Sequence, residues 1–316
     1  MKRKPLIFSV CYLALLFVLT AWILLDQFVI VRKYVVEQPD TAETTEPAVT
    51  NDPSVTADPA IGTTEPAAPT EPIITDRSYI CDKFSIVITE ERYLGTTVQV
   101  AEIKLSSPDL LKTAFAENTF GRNVKDTVQN MAEDVDAVFA INGDYYGYRK
   151  TGFVVRNGTL YRDSVYSDTQ EAVIFWKDGS LSSVFEKDVS AKDLVDKGAM
   201  HVLSFGPTLI ADGEIVVNAE DEVNRNMKSN PRTAIGMVEP LHYFVVVSDG
   251  RLEDERGLSV LELARFFKQL GCTFAYNLDG GGSATMVFMG EVLNFPTSKG
   301  DYKEREVSDI VYIGKP

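Results

Sequence analysis

Three observations predict an α+β fold for this 316-residue chain. Its second half is dense with short β-prone runs separated by Asx-Gly pairs. Only a few stretches carry a helical apolar period. All of this lies beyond residue 76, after an uncharged N-terminal run and a proline-rich stretch. The expected architecture is therefore a single mixed, largely antiparallel β-sheet domain packed by a few helices. A transmembrane helix and a disordered linker precede it. The boundaries read 1–36 for the basic tip and anchor, 37–76 for the linker and 77–316 for the domain.

Lys2-Arg3-Lys4 precedes an uncharged run over residues 5–25, with Trp22 near its far end. About 20 apolar residues suffice to cross a bilayer, and the apolar core of a cleaved signal is shorter, at ~7–15 residues. No clear small-x-small cleavage site follows, so the run reads as an anchor. The leading basic cluster favours a single-pass topology with the N-terminus inside and the C-terminal domain extracellular, although Arg32 and Lys33 weaken the asymmetry.

Residues 37–76 hold seven of the fourteen prolines, nine threonines, nine acidic groups and no basic one. So little apolar surface does not offset the entropy of ordering, and charge and proline extend such a chain. This stretch is expected to hold the domain off the membrane.

Strands are predicted over 84–89 and 97–105, the second with Val98, Val100, Ile103 and Leu105 and one slip in its alternation. A helix is predicted over 123–135, with Val124, Val128, Met131 and Val135 on one face. Residues 137–141 form a buried strand running into Asn142-Gly143-Asp144. Asn157-Gly158, Asp178-Gly179 and Asp212-Gly213 mark hairpins, since such pairs accept the positive φ of tight turns. Strands follow over 233–238 and 243–248. Ser259-Val260-Leu261-Glu262 is a capping box opening a helix that ends at Leu270, with Gly271 as its C-cap. Further strands occupy 273–278, 284–289 and 307–313.

The net charge of −15 divides into +4 over residues 1–36, −9 over 37–76 and −10 beyond. That acidity argues against nucleic acid as a partner. It leaves room for a phosphate-bearing or glycan substrate held by a few arginines. Two histidines and three cysteines, with no paired-ligand motif, do not suggest a zinc site. Cys272 reads as a buried thiol, and pairing with Cys81 is not legible.

Four polar clusters end apolar strands: Asn142-Gly143-Asp144, Arg232 after Asn230-Pro231, Asp249-Gly250-Arg251, and Asp279-Gly280-Gly281-Gly282-Ser283. Consecutive glycines let a ligand approach backbone N–H groups closely. Each cluster also has a structural reading. Asp249-Gly250 is one more turn, Asp144 a loop cap, Arg232 the partner of a surface carboxylate, and Arg305, between Glu304 and Glu306, a solvated surface group. Only Asp279 favours a functional reading by itself. Together, strand ends of one sheet can converge on a cleft, and carboxylates facing arginines there suit attack at a sugar carbon or a phosphate. Tyr145, Tyr146 and Tyr148 are stacking candidates for a sugar face, or plain core.

In this order the clusters resemble the phosphodiester glycosidase family. The matching pieces are Ala140-Ile-Asn-Gly143, Gly206-Pro207, Arg232-Thr-Ala-Ile-Gly236, Asp249-Gly250, Arg256-Gly257, Asn277-Leu-Asp-Gly-Gly-Gly-Ser-Ala-Thr285 and Arg305. The resemblance runs from about residue 80 to the end and departs at Asp144, where glycine is expected. It implies a cell-surface, exopolysaccharide-related hydrolase that cleaves the sugar C1–O bond of a sugar-1-phosphodiester. Under that reading Asp279, Asp249 and Arg232 are catalytic. Asn142, Gly143, Asp144, Arg256, Gly280, Gly281, Gly282, Ser283 and Arg305 bind substrate, and no cofactor is required. The alternatives are a metal-dependent phosphodiesterase that breaks P–O, with Asp249 and Asp279 as ligands of a divalent cation, and a non-catalytic wall-polymer binder.

Overall fold

The computed structural model describes residues 3–34, 71–218, 229–298 and 301–316. The expected linker lies outside these apart from residues 71–76. Within those six residues, Ile73–Ile74 already pairs with Ser78–Ile80, so the sheet starts inside the stretch read as linker.

Strand pairing is antiparallel throughout the three main sheets. The largest has nine strands. At its centre Phe274–Asn277, Arg232–Glu239, His242–Ser248, Thr96–Leu105 and Phe84–Tyr93 lie side by side. A five-stranded sheet is built on Met286–Phe288, Ala137–Asn142 and Asp309–Gly314. A second five-stranded sheet contains the hairpins at Asn157-Gly158 and Asp178-Gly179. The predicted turn chemistry is present: φ is 51° and 75° at Asn157 and Gly158, and again at Asp212 and Gly213.

One apolar core joins the three sheets, with Ile103, Val245 and Tyr276 meeting Phe139, Ile141 and Val311, and Val173 and Phe175. Each sheet also has an outer apolar face under a short helix. Helix α2 (Val128–Asp134) covers the first five-stranded sheet, α3 (Ala191–Asp196) the second, and α4 (Val260–Gln269) the nine-stranded one.

That arrangement explains the slip in alternation along Thr96–Leu105. Val98 and Val100 face α4, whereas Ala101, Ile103 and Leu105 face the shared core. The strand is buried on both faces, so its period does not slip. Helix α2 is shorter than predicted because Asn123 has φ 58°, which no helix interior accepts, and Thr127 caps the first turn through Asn130 N–H. Both halves of the capping box of α4 are formed, and Gly271 follows it at φ 79°. Cys81 and Cys272 are free thiols, and burial pushes Cys272 up to about 12.

Helix α1 (Arg3–Phe28) contains an 18-residue window, Cys11–Phe28, long and apolar enough to cross a bilayer. The chain after it does not leave the domain at once. Arg32–Lys33 pairs with Gly121–Arg122, and Tyr34 N–H donates to Phe120 O at 2.9 Å. The expectation of a domain held off by its linker meets a direct contact here.

Candidate active site

The glycine loop is the crossover from Phe274–Asn277 of the nine-stranded sheet to Met286–Phe288 of its neighbour. Asp279 therefore stands where two sheets diverge, and the hollow in front of it measures about 370 Å³. Its wall includes Asp279, Gly280, Gly281, Arg232, Arg251 and Arg305, with Tyr145, Arg149, Phe205 and Asn230 around the rim.

Asn142 fixes the loop from behind. Its Nδ2 donates to Asp279 O at 2.6 Å, while its Oδ1 accepts from Thr233 Oγ1 at 2.8 Å and Thr285 N–H at 3.2 Å. Leu278 N–H donates to Thr233 O and Gly281 N–H to Pro231 O, both at 2.8 Å. Three sequence-distant strand ends are thereby tied to one another.

At each of these glycines a Cβ would crowd a neighbour. A Cβ on Gly280 would lie 2.7 Å from Pro231 O. On Gly281 it would lie 2.7 Å from Arg251 Nη2, and on Gly282 2.7 Å from Arg305 Nη2. Two guanidinium groups thus pack on the backbone of the loop that carries Asp279. Arg251 is steered there by φ 62° and by Asn230 Oδ1, which accepts from its Nε and Nη2 at 3.2 and 2.9 Å. Arg232 is buried and donates from Nε to Leu258 O at 2.9 Å.

Burial pushes the Asp279 carboxyl above its ordinary range. The Ser283 hydroxyl, Arg305 and Gly280 N–H, which donates to its Oδ1 at 2.9 Å, pull the other way. Burial and then the neighbouring Arg305 charge push Arg251 down, and Asp279 partly offsets them. Like charges held side by side form a site that an anion relieves. Tyr145 is stacked on Tyr148, with centroids 4.6 Å apart, and is pushed up by burial and by Asp279, so its hydroxyl keeps its proton.

Asp279, Arg232, Arg305, Gly280 and Gly281 thus meet as the sequence suggested, and Asn142, Gly282 and Ser283 support them. Four expected members stand elsewhere. Asp249 Oδ1 accepts from Phe295 N–H at 2.7 Å, and burial pushes its carboxyl up to about 6. Asp144 is wholly buried against Arg156, with Oδ2 3.1 Å from Nη2, and its oxygens accept from Tyr146 and Ser204 N–H. Gly143 gives way to the Asp309 carboxylate, 2.5 Å from where a Cβ would stand. Arg256 forms a surface pair with Glu262 at 2.6 Å. Among the described residues, Asp279 is the one carboxylate lining this hollow.

Arg251 and Arg149 are the charged groups that the sequence reading did not assign to the site. Arg251 belongs to the same Asp-Gly-Arg turn as Asp249, and only the turn's geometry decides which of the two faces the hollow. Arg149 follows the tyrosine cluster after Ala137–Asn142 and lies 4.4 Å from the Tyr166 ring centroid.

Fold and site define an antiparallel α+β domain whose cleft sets one acid among guanidinium groups. The chain belongs to the phosphodiester glycosidase family, whose model matches residues 136–314, more than half of it. The SPbeta prophage-derived uncharacterized protein YomE of Bacillus subtilis is 31% identical over 205 residues, covering 62% of this chain and 31% of that protein. The mouse N-acetylglucosamine-1-phosphodiester alpha-N-acetylglucosaminidase is 27% identical over 209 residues, covering 60% and 40%. The chain therefore spans about a third to two-fifths of the curated relatives it matches. The catalytic domain of the zebrafish enzyme of that name, auto-inhibited by its pro-peptide, superposes with TM-score 0.58 at 22% identity, covering 74% of this chain and 83% of that one. A hypothetical protein from Synechocystis superposes at 0.52 with 16% identity, covering 74% and 62%. Both superpositions show the fold.

Proposed function

We propose that this chain hydrolyses the C1–O bond of a sugar-1-phosphodiester. The observation that carries the reading is Asp279 set among Arg232, Arg251 and Arg305 in one hollow. A phosphomonoester is a good leaving group, so the reaction needs charge stabilisation more than a strong acid. Planar guanidinium groups aimed at the departing oxygens supply it. Asp279 provides the electron pair at C1, directly or through a water whose proton it takes. The water oxygen ends on C1, and both electrons of the C1–O bond leave with the phosphate. Tyr145, on its stacked partner Tyr148, offers an aromatic face to the sugar ring.

The donor set favours an anion over a divalent cation. A cation site needs several converging oxygen ligands, whereas this hollow offers one carboxylate and several fixed positive charges. Helix α1 is read as a single-pass anchor, its basic end inside and the domain outside, and the substrate as a cell-surface glycan phosphodiester.

The test combines product analysis with two variants. Turnover of an N-acetylglucosamine-1-phosphodiester in ¹⁸O-water is expected to place the label in the sugar. Asp279→Asn and Arg232→Ala are each expected to lower kcat/KM by ~10²-fold or more. Label in the phosphate would shift the reading to P–O cleavage. Binding without release of sugar would leave a glycan-binding protein.

A further inference from the structure

A second hollow, of about 500 Å³, lies where the end of α1 meets the domain. Among the described residues, its walls carry Arg32, Arg122, Arg149, Lys150 and Arg162 against one carboxylate, Asp26. Five cations to one acid is the reverse of the balance of a chain with net charge −15. Tyr34, Phe120 and Tyr161 supply an apolar side.

The junction is built rather than incidental. Asn123 Nδ2 donates to Ile30 O and Gln27 Nε2 to Tyr148 O, both at 2.9 Å, and Arg122 Nη2 donates to Asp26 O and Gln27 Oε1, both at 3.2 Å. A Cβ on Gly121 would lie 2.2 Å from Arg32 O, so glycine is what lets the paired segment approach.

Asp26 does not satisfy the cations around it. Its carboxylate is shared by Arg32, Arg122 and Lys150. Among the described residues, Arg122 Nε and Arg162 Nη2 find no acceptor, although both residues line the hollow. Arg162 is held in place by Gly152 O, Tyr146 O and Arg149 O, an arrangement fixed before any ligand arrives.

Position identifies the ligand. The uncharged run over residues 5–25, at ~1.5 Å per residue, spans about the ~30 Å of a bilayer's hydrocarbon. Asp26 is then the first charge above the hydrocarbon, and a hollow lined by Asp26, Arg32 and Tyr34 stands at headgroup height. We propose that this hollow binds the phosphate of an anionic phospholipid headgroup in the leaflet facing the domain, and so fixes the domain against the membrane. The inference rests on α1 being a membrane anchor. It also brings the membrane close to the catalytic cleft, because Arg149 borders both hollows.

The test uses the full chain purified in mild detergent. Native mass spectrometry and thermal midpoints are read against added phosphatidylglycerol, phosphatidylcholine and inorganic phosphate. Retention of phosphatidylglycerol with a saturable rise in midpoint is expected, with little effect of the other two. Arg162→Gln is expected to weaken that retention ~10-fold or more. Lys150→Gln, at the exposed rim, tests the same site without touching a packed side chain and is expected to weaken it several-fold. Equal retention of the two lipids, an equal response to inorganic phosphate, or unchanged retention in both variants would overturn the proposal. A chain recovered outside the membrane fraction of cells would instead fail the anchor reading, and this inference with it.

Discussion

Gly282→Ala tests whether the glycine loop acts through Arg305. The added Cβ would stand 2.7 Å from Arg305 Nη2 and 2.9 Å from its Nε and Cζ. Ordinary contact begins near 3.4 Å, so the guanidinium must recede by roughly 0.5–1 Å. Gly282 has no positive φ, and what its Cβ meets is the end of a flexible side chain. The backbone therefore tolerates alanine and the fold is kept. A misplacement of about 1 Å in a charge-stabilising group costs ~10²-fold in kcat/KM, or about 2.7 kcal/mol, and outright loss of Arg305 costs ~10²–10³-fold. In the double variant the two losses share one cause. Gly282→Ala added to Arg305→Ala is expected to lower kcat/KM by no more than about threefold, a coupling of about 2 kcal/mol. The assay is the initial rate on a water-soluble sugar-1-phosphodiester, with thermal midpoints to confirm folding. Near-normal turnover in Gly282→Ala, or losses that multiply in the double variant, would refute the reasoning.

Asp249 has a folded pKa pushed from 3.8 up to about 6, above its unfolded value. Its contribution is therefore most favourable at low pH and is lost as the pH rises through about 6. Asp249→Asn keeps an acceptor for Phe295 N–H without the charge. It is expected to raise the stability of the full chain in detergent at about pH 7.5 by up to about 3 kcal/mol, with no gain near pH 4; equal thermal midpoints at both would contradict this. Arg156→Met leaves Asp144 and Asp309 buried together without their cation, at a cost of about 3–5 kcal/mol. Because burial pushes the Asp309 carboxyl up to about 7, the loss is expected to be smaller at pH 5 than at pH 8, and a pH-independent loss would remove the ion-pair explanation.

Much of the core was legible because alternation and turn chemistry are local. The Asx-Gly hairpins, the capping box of α4 and the strand leading to Asp279 each need only a few neighbouring residues to define them. Legibility failed where a partner came from far along the chain. Asp144 looked like a loop residue until Arg156 and Asp309 closed around it. Asp249 and Arg251 flank a single glycine, and the N–H of Phe295 that holds the Asp249 carboxylate lies 46 residues away. Arg256 was absorbed by Glu262, which the capping box had already marked as structural.

By itself the sequence determined an apolar N-terminal helix, an antiparallel α+β domain and a run of glycines after Asp279 whose backbone another group can approach closely. Those properties follow from short-range sterics and from the burial of apolar faces. Which charges meet in the cleft was decided by tertiary structure alone. Tertiary structure also decided that the end of α1 docks on the domain to enclose a second basic hollow. Charges pair by distance in space, and in this chain that distance is set by where three sheets diverge.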